Sequence, residues 1–376
     1  MSIFNREKVN FLQQTMFFGE DPNIARYDVQ TYPIFEKLTR KQISFFWVPE
    51  EIDITKDARD FKRLQEHERF IFTENLSYQI LLDSVQGRSP SIAFLPFISV
   101  PELEVCVQTW DFFETIHSRS YTYIIRNLYN DPSEFFDKIM DNKKIIERAE
   151  AVTQQYDNFI EYGNMYKMLG FGKHIINGKT FNITSRELKK RLYQTLVSVY
   201  ILEGIRFYVS FACSFAFAEL DIMEGNAKII ELIARDEAQH LGVTQNIIKH
   251  LKKTEKDPEM LEVIEESASD VVRMFEQAVN QEKEWAEHLF KDGSIIGLNA
   301  QLLSDYVEFR ANKCMTNMGL KKLYNQPSNP LTWTLPYLGN RELLRQPAPQ
   351  ETELSSYLVG VIDNDVNEKV VSSLKL

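Results

Sequence analysis

The stretch from Trp110 to Tyr121 places metal-binding side chains on one face of a predicted helix. Its sequence, WDFFETIHSRSY, contains neither glycine nor proline. In a helix, Glu114 and His117 are three residues apart and Tyr121 follows His117 by four, so all three share one face. A carboxylate, an imidazole and a phenol on an otherwise apolar face are costly to bury unless they bind something. This stretch predicts half of a metal site in a helical protein.

A second Glu-x-x-His pair, Glu237 and His240, supplies the matching half. Two further carboxylates, Asp83 and Glu203, lie on stripes that long helical patterns would bury. Taken singly, a Glu-x-x-His pair can be a solvated pair on a helix surface, Asp83 can cap a turn, and Glu203 can pair with Arg206. Together, four carboxylates and two histidines on four helices are the ligand set of ferritin-like dimetal bundles.

The charges of this set favour two divalent cations. Four carboxylates carry −4 and two divalent cations +4, whereas burying the carboxylates without metal would be prohibitive. Carboxylate and imidazole ligands suit iron or manganese. Trp110, one turn before Glu114, is placed to donate its indole N–H to a ligand. Asp236, four residues before His240, is placed to accept a hydrogen bond from a ligating imidazole.

Composition predicts an all-α protein. Only 14 glycines and 13 prolines occur in 376 residues, which favours long helices over sheets. Helical patterns span residues 32–46, 64–86, 101–130, 132–168, 185–219, 226–253, 258–291 and 298–318. One small β-hairpin is predicted around 174–183, because Asn177-Gly178 lies between apolar flanks. The predicted fold is a ferritin-like helical bundle over residues 1–340 with a flexible C-terminal tail over 341–376, which is rich in short polar stretches.

Charge and cysteine usage exclude several other classes of protein. The net charge of −11 does not indicate a nucleic-acid-binding surface. Three scattered cysteines without a CxxC pair argue against a disulfide framework and fit a reducing cytosol. The N-terminal residues show no signal-peptide pattern, and the most apolar run, residues 207–218, is too short to span a bilayer. We therefore expect a cytoplasmic protein that binds neither membrane nor nucleic acid.

Several further motifs point to one family. They are MFFG at 16–19, ARYD at 25–28, SFFW at 44–47, LDSVQGR at 82–88, ETIHSRSY at 114–121, RFYVSF at 206–211, ARDEAQH at 234–240 and SSYLVG at 355–360. With these motifs the chain resembles, over nearly its whole length, the small radical-generating subunit of class I ribonucleotide reductase, of the bacterial class Ia type.

The resemblance implies an oxo-bridged diiron centre that reacts with oxygen and leaves a stable radical on Tyr121. Manganese is a possible alternative metal. The implied ligands are Asp83, Glu114, His117, Glu203, Glu237 and His240. Phe207 and Phe211 follow Glu203 by four and eight residues, and Ile233 precedes Glu237 by four. These apolar side chains would shield the radical; ordinary core packing also explains them and does not exclude shielding.

In this family the radical is passed to a large catalytic subunit, which reduces ribonucleoside diphosphates to deoxyribonucleoside diphosphates for DNA synthesis. The positions that match this relay are Trp47, Asp236 linking toward His117, and Tyr357 in the tail. The apolar end of the tail, especially Leu374 and Leu376, resembles the segment that docks into the large subunit. The resemblance also implies a homodimer that forms a heterotetramer with the large subunit.

Two other functions remain open on the ligand set alone. A ferritin-like diiron oxidase, hydroxylase or desaturase would use the same metal site on its own substrate. An iron-storage bundle would use a similar helical frame. An oxidase of this kind has no reason for Trp47 or for a tail that carries Tyr357, and a storage bundle does not need Tyr121 in an apolar sleeve. The reductase subunit is therefore the preferred interpretation.

Overall fold

The computed structural model describes residues 5–253 and 257–338, and this part of the chain is mostly helical, as predicted. Its thirteen α-helices are α1 Pro33–Ile43, α2 Thr55–Arg63, α3 Glu66–Gln86, α4 Ser89–Phe94, α5 Pro101–Leu128, α6 Pro132–Ile139, α7 Lys143–Leu169, α8 Ser185–Ile201, α9 Phe207–Ala218, α10 Glu224–Lys253, α11 Pro258–Glu266, α12 Ala268–Leu289 and α13 Ala300–Asn317. The predicted tail, with Tyr357, Leu374 and Leu376, lies outside the described residues.

Two predicted helices are broken where the sequence has neither glycine nor proline. The pattern over 132–168 is two helices, because the side chain of Asn142 accepts hydrogen bonds from the backbone N–H groups of Lys144 and Ile145 at 3.1 and 3.4 Å. Asn142 therefore caps a new helix, α7. The pattern over 258–291 is interrupted at Ser267, between α11 and α12.

The predicted hairpin is present and slightly longer than expected. Its antiparallel strands are β1 Gly172–Ile176 and β2 Lys179–Ile183. Asn177 and Gly178 join the strands with φ of 50° and 76°, and two positive φ angles are typical of the tight turn that Asn-Gly favours. Most of the hairpin is exposed, so it contributes little to the core.

The helix pair α8–α9 forms the centre of the bundle. The stretch Ser185–Ala218 is 34 residues long and contains a window of mean hydropathy 1.5 that is 100 % buried, so it is a core helix and not a membrane span. Helix α9 packs against α3 and α10, and α10 also packs against α5. A π-helical turn, Leu202–Arg206, joins α8 to α9. Helices α3, α5 and α10 and the π-helical turn carry the predicted ligands, and their packing brings these ligands together in the interior.

Candidate metal centre

All six predicted ligands are fully buried and meet inside the bundle. They are Asp83 on α3, Glu114 and His117 on α5, Glu203 in the π-helical turn, and Glu237 and His240 on α10. They form two overlapping groups in which one ligand atom from each residue lies within 4.8 Å of the others: Asp83, Glu114, His117 and Glu237 in one, and Glu114, Glu203, Glu237 and His240 in the other. Because both groups contain Glu114 and Glu237, these two carboxylates are placed to bridge two ions.

The two histidines face the shared carboxylates in the same way. His117 Nδ1 lies 3.3 Å from Glu114 Oε2 and 3.2 Å from Glu237 Oε1. His240 Nδ1 lies 3.2 Å from the other Glu114 oxygen and 3.1 Å from the other Glu237 oxygen. Each bridging carboxylate therefore offers one oxygen to each histidine. This arrangement suits two metal positions side by side.

Most of the atoms that point into the centre have no hydrogen-bond partner among the described residues, although His240 Nδ1 lies within hydrogen-bond distance of Glu237 Oε2 at 3.1 Å. Both oxygens of Asp83, one oxygen each of Glu114, Glu203 and Glu237, and Nδ1 of His117 are buried without a hydrogen-bond partner among the described residues. Unpartnered buried carboxylates are rare and costly. Donors of this kind fit two divalent cations such as iron or manganese, which carboxylate and imidazole ligands accommodate. The residues present therefore match the metal pair that the sequence predicts.

Without a cation, protons must neutralise the cluster. Burial raises the pKa of the Asp83 and Glu203 carboxyls well above the ordinary range, and neighbouring carboxylates raise it further. Burial opposes the charged form of His240, but Glu237 and Glu114 outweigh it and raise its pKa to about 9. Glu237 shows the opposite shift: burial opposes ionisation, but a hydrogen bond with Glu203 and the neighbouring histidines lower its pKa.

Tyr121 lies against this cluster, as its position on the ligand face of α5 predicts. The side chain is 1 % exposed, and its hydroxyl has no hydrogen-bond partner within the described chain. Burial raises the pKa of the Tyr121 phenol well above its usual value, and the charge of Asp83 is the next largest cause. The phenol is therefore neutral and isolated from solvent.

Asp236 connects the centre to Trp47. The indole Nε1 of Trp47 donates to Asp236 Oδ2 at 2.7 Å, and the same oxygen lies 3.4 Å from His117 Nε2. The four-residue spacing in the sequence suggests His240 as the imidazole partner of Asp236. The structure instead places His117 there, as the resemblance implies. With Nε2 facing a carboxylate, His117 keeps Nδ1 free for a metal. Arg235 bonds the other oxygen of Asp236 at 3.1 Å.

Trp110 makes the predicted hydrogen bond to a ligand. Its Nε1 donates to Glu114 Oε1 at 2.8 Å, and its ring stacks on His240 at 5.4 Å. Sequence reasoning missed a similar contact on the opposite side. The amide of Gln86 donates to Glu203 Oε1 at 2.8 Å, and Tyr156 OH donates to Gln86 Oε1 at 3.0 Å. Gln86 follows Asp83 by three residues, so the helical spacing could have identified it.

The proposed shield residues are fully buried. Phe207, Phe211 and Ile233 each have 0 % exposure, and the two phenylalanine rings stack at 5.9 Å. However, the π-helical turn separates Glu203 from Phe207, so the α-helical spacing between them does not hold. A role in shielding Tyr121 remains a prediction.

Fold and site together define a ferritin-like helical bundle with a donor set for two metal ions. The family model described as ribonucleotide reductase, small chain, matches residues 27–330. The chain belongs to this family and is the small subunit of an oxidoreductase, ribonucleotide reductase.

Similar proteins cover the chain from end to end. The ribonucleoside-diphosphate reductase 1 subunit beta of Escherichia coli O157:H7 is 54 % identical over 373 residues, which is 99 % of each chain. The beta subunit of Enterobacteria phage T4 is 44 % identical and aligns with 100 % of this chain and 99 % of its own. The R2 subunit of Clostridium botulinum superposes with a TM-score of 0.75 at 25 % identity, covering 90 % of this chain and 98 % of that one.

Proposed function

We propose that this subunit uses a diiron centre and oxygen to generate a stable radical on Tyr121. One observation supports this most strongly: a solvent-excluded tyrosine with an unpartnered hydroxyl lies against a six-ligand site for two metals. A metal-storage protein has no use for such a tyrosine. The ligands would be the four carboxylates and two histidines described above, with Glu114 and Glu237 shared between the ions.

The bound metal pair would supply the oxidising equivalent from oxygen that removes one electron from Tyr121. The side chains of this chain provide the rest. The phenol must lose its proton together with the electron, and Asp83 is the carboxylate whose charge acts most strongly on it. Burial then excludes water and reductants from the oxidised ring. This arrangement favours a long-lived radical.

The stored radical would leave the subunit through Trp47. The pair of contacts at Asp236 Oδ2 joins the Trp47 indole to His117, a ligand of the centre. Asp236 is placed to accept the indole proton as Trp47 gives one electron to the oxidised Tyr121, and the Tyr121 phenoxyl regains a proton as it is reduced. Tyr357 would continue the transfer to the large subunit, where ribonucleoside diphosphates are reduced.

The test is electron paramagnetic resonance of metal-free protein after addition of ferrous iron and oxygen. The wild-type chain should give a stable tyrosyl signal. Tyr121→Phe should bind and oxidise the same amount of iron without that signal, because phenylalanine fills the space but has no hydroxyl. Iron oxidation without a tyrosyl signal in the wild type would favour an oxidase, hydroxylase or desaturase, or a requirement for manganese. No metal uptake would contradict the dimetal site itself.

A second variant separates radical storage from radical transfer. Trp47→Phe should form the Tyr121 radical in normal yield but lose nearly all nucleotide reduction with the large subunit, by roughly a thousandfold or more, because the contact to Asp236 is gone. Trp285→Phe is a matched control, since this fully buried indole lies outside the proposed relay and its Nε1 has no hydrogen-bond partner among the described residues. Full turnover by Trp47→Phe would remove Trp47 from the pathway.

We propose two assembly partners in addition. The tail, residues 341–376, would dock to the large subunit through Leu374 and Leu376. A second copy would cover an apolar patch formed by Ile43, Phe46 and Phe112, which are 59, 53 and 51 % exposed. We expect the protein to act in the cytoplasm. Light scattering should show a dimer of the purified protein and a heterotetramer with the large subunit. Leu374→Ala with Leu376→Ala should abolish only the larger complex.

A further inference from the structure

The ligand Glu203 is carried by an irregular piece of helix. It lies in the π-helical turn Leu202–Arg206, whereas the other five ligands lie on regular α-helices. A π-helical turn is a rare, wider insertion within an α-helix, and such turns are frequent at functional sites. The position of Glu203 therefore depends on what holds this turn.

Arg310, on α13, holds the backbone of the turn. Its Nε and Nη2 groups donate to the carbonyl oxygen of Gly204 at 3.0 and 2.8 Å. The guanidinium lies 3.5 Å over the ring of Tyr208 and is 5 % exposed. Within residues 5–253 and 257–338, no carboxylate forms a salt bridge with it. A buried arginine directed at one carbonyl is costly, which indicates a specific task.

Gly204 allows α13 to come this close. A Cβ atom on this residue would lie 2.6 Å from the sulfur of Cys314 and 3.1 Å from a methyl of Leu241. Real Cβ atoms essentially never approach a heavy atom to less than 3.0 Å, so any larger residue would push the turn away from α13. Gly204 and Arg310 thus form one contact, with the glycine giving access and the arginine binding the carbonyl.

We propose that Arg310 is a positioning residue for the metal centre. By fixing the carbonyl next to Glu203, it sets the direction of the Glu203 carboxylate, whose Oε2 is left free while Oε1 is held by Gln86. Asp83 has no comparable restraint, since no amide or backbone group in the described chain bonds its oxygens and only the Tyr121 hydroxyl faces them. The metal position beside Glu203 and His240 therefore depends on α13, and the position beside Asp83 and His117 does not. This inference rests on the proposed dimetal function.

Manganese(II) titration of full-length, metal-free protein tests the inference without any turnover. Calorimetry gives the affinity of each site, and electron paramagnetic resonance distinguishes a coupled pair from a single ion. Wild-type protein should bind two ions. Arg310→Met should weaken one site by roughly 10–100-fold, as loss of an indirect ligand support does, and leave the other within about twofold. Its spectrum at intermediate loading should match that of Glu203→Ala, with single ions in place of coupled pairs.

The matched control is Tyr200→Phe. The hydroxyl of Tyr200 donates to the backbone oxygen of Cys314 on α13 at 3.3 Å, so this variant removes a neighbouring contact to α13 but leaves Arg310 in place. Both affinities should be unchanged in Tyr200→Phe. Arg310→Lys, which keeps a donor and the charge, should recover part of the lost affinity.

A second pair of variants tests the contact between Arg310 and Gly204 by changing the glycine. Gly204→Ala should weaken the same single site as Arg310→Met, because the new Cβ collides with Cys314. Adding Cys314→Ala should restore much of the affinity, since the colliding sulfur is gone. Equal weakening of both sites, or two unchanged sites in Arg310→Met, would overturn the inference while leaving the proposed function intact. Wild-type protein that binds no manganese or iron would overturn both.

Discussion

Two clusters of charge that are buried in the described part of the bundle are constructed in opposite ways. In the metal centre, four carboxylates face two histidines, and most of the inward-pointing oxygens have no partner. In the second cluster, Glu282 accepts hydrogen bonds from Arg206 at 2.7 Å and from Tyr78 at 2.6 Å. Both clusters are almost completely inaccessible to solvent.

The difference between the clusters lies in what balances their charge. Glu282 carries one negative charge and Arg206 one positive charge, so the protein itself neutralises this pair. The metal centre has a surplus of carboxylates that only protons or cations from outside can balance. A buried cluster that lacks its own counter-charge is therefore a better indicator of a ligand site than burial of charge by itself.

The largest expected effect is on the balanced pair. Glu282→Leu leaves the Arg206 charge buried without compensation, and we expect the free energy of unfolding to fall by about 3–5 kcal/mol. The double variant Glu282→Leu with Arg206→Met should recover most of that loss. Urea unfolding of metal-free protein measures both values. If the double variant were as unstable as Glu282→Leu, the loss of stability would not come from the uncompensated charge of Arg206.

The next effect concerns protons at the metal centre. Asp83 and Glu203 have raised pKa values, as does His240 at about 9, so the metal-free centre holds protons at neutral pH. A divalent cation displaces these protons, so metal affinity should rise with pH and weaken as pH falls, by about 1.4 kcal/mol per pH unit for each proton released. Calorimetry of manganese binding in buffers of different ionisation enthalpy measures the number of protons. If the heat of manganese binding were the same in every buffer, the metal-free centre would release no protons and would not be protonated.

The smallest effect should have the opposite sign to that at Glu282. Asp83→Asn keeps the shape of the side chain and replaces a buried carboxyl that must take up a proton when the metal-free protein folds at neutral pH. Metal-free protein should therefore become more stable by roughly 0.5–2 kcal/mol, while binding at the metal position beside Asp83 weakens. Chemical denaturation in the presence of a chelator gives this value. Asp131→Asn, at the exposed N-cap of α6, serves as the control and should change stability little. A destabilised Asp83→Asn would mean that Asp83 has a structural role.

The sequence was most informative where a chemical pattern coincides with the helical period. The two Glu-x-x-His pairs and Asp83 lie on long, regular helices, so their spacing predicts one inward face for each. Asn177-Gly178 predicts the hairpin because the turn needs two positive φ angles. These features depend on residues close together in the chain.

The features that the sequence did not reveal depend on contacts between distant segments. The bond of Tyr156 to Gln86 and that of Arg310 to Gly204 each join residues that share no local pattern. The π-helical turn is also invisible, because its single glycine, Gly204, lies within a continuous helical pattern and does not end the helix. The breaks at Asn142 and Ser267 also lack glycine and proline, and at Asn142 the local N-cap lies within a continuous helical pattern that conceals it.

The distribution of the ligands over four separate helices has a consequence for the order of events during synthesis of the protein. Asp83 leaves the ribosome long before Glu237 and His240, and the shared carboxylates come one from each half of the set. A nascent chain can therefore offer no more than fragments of the coordination sphere, and these bind metal weakly. Binding of a metal pair would therefore require the folded bundle, in which all four helical segments have met.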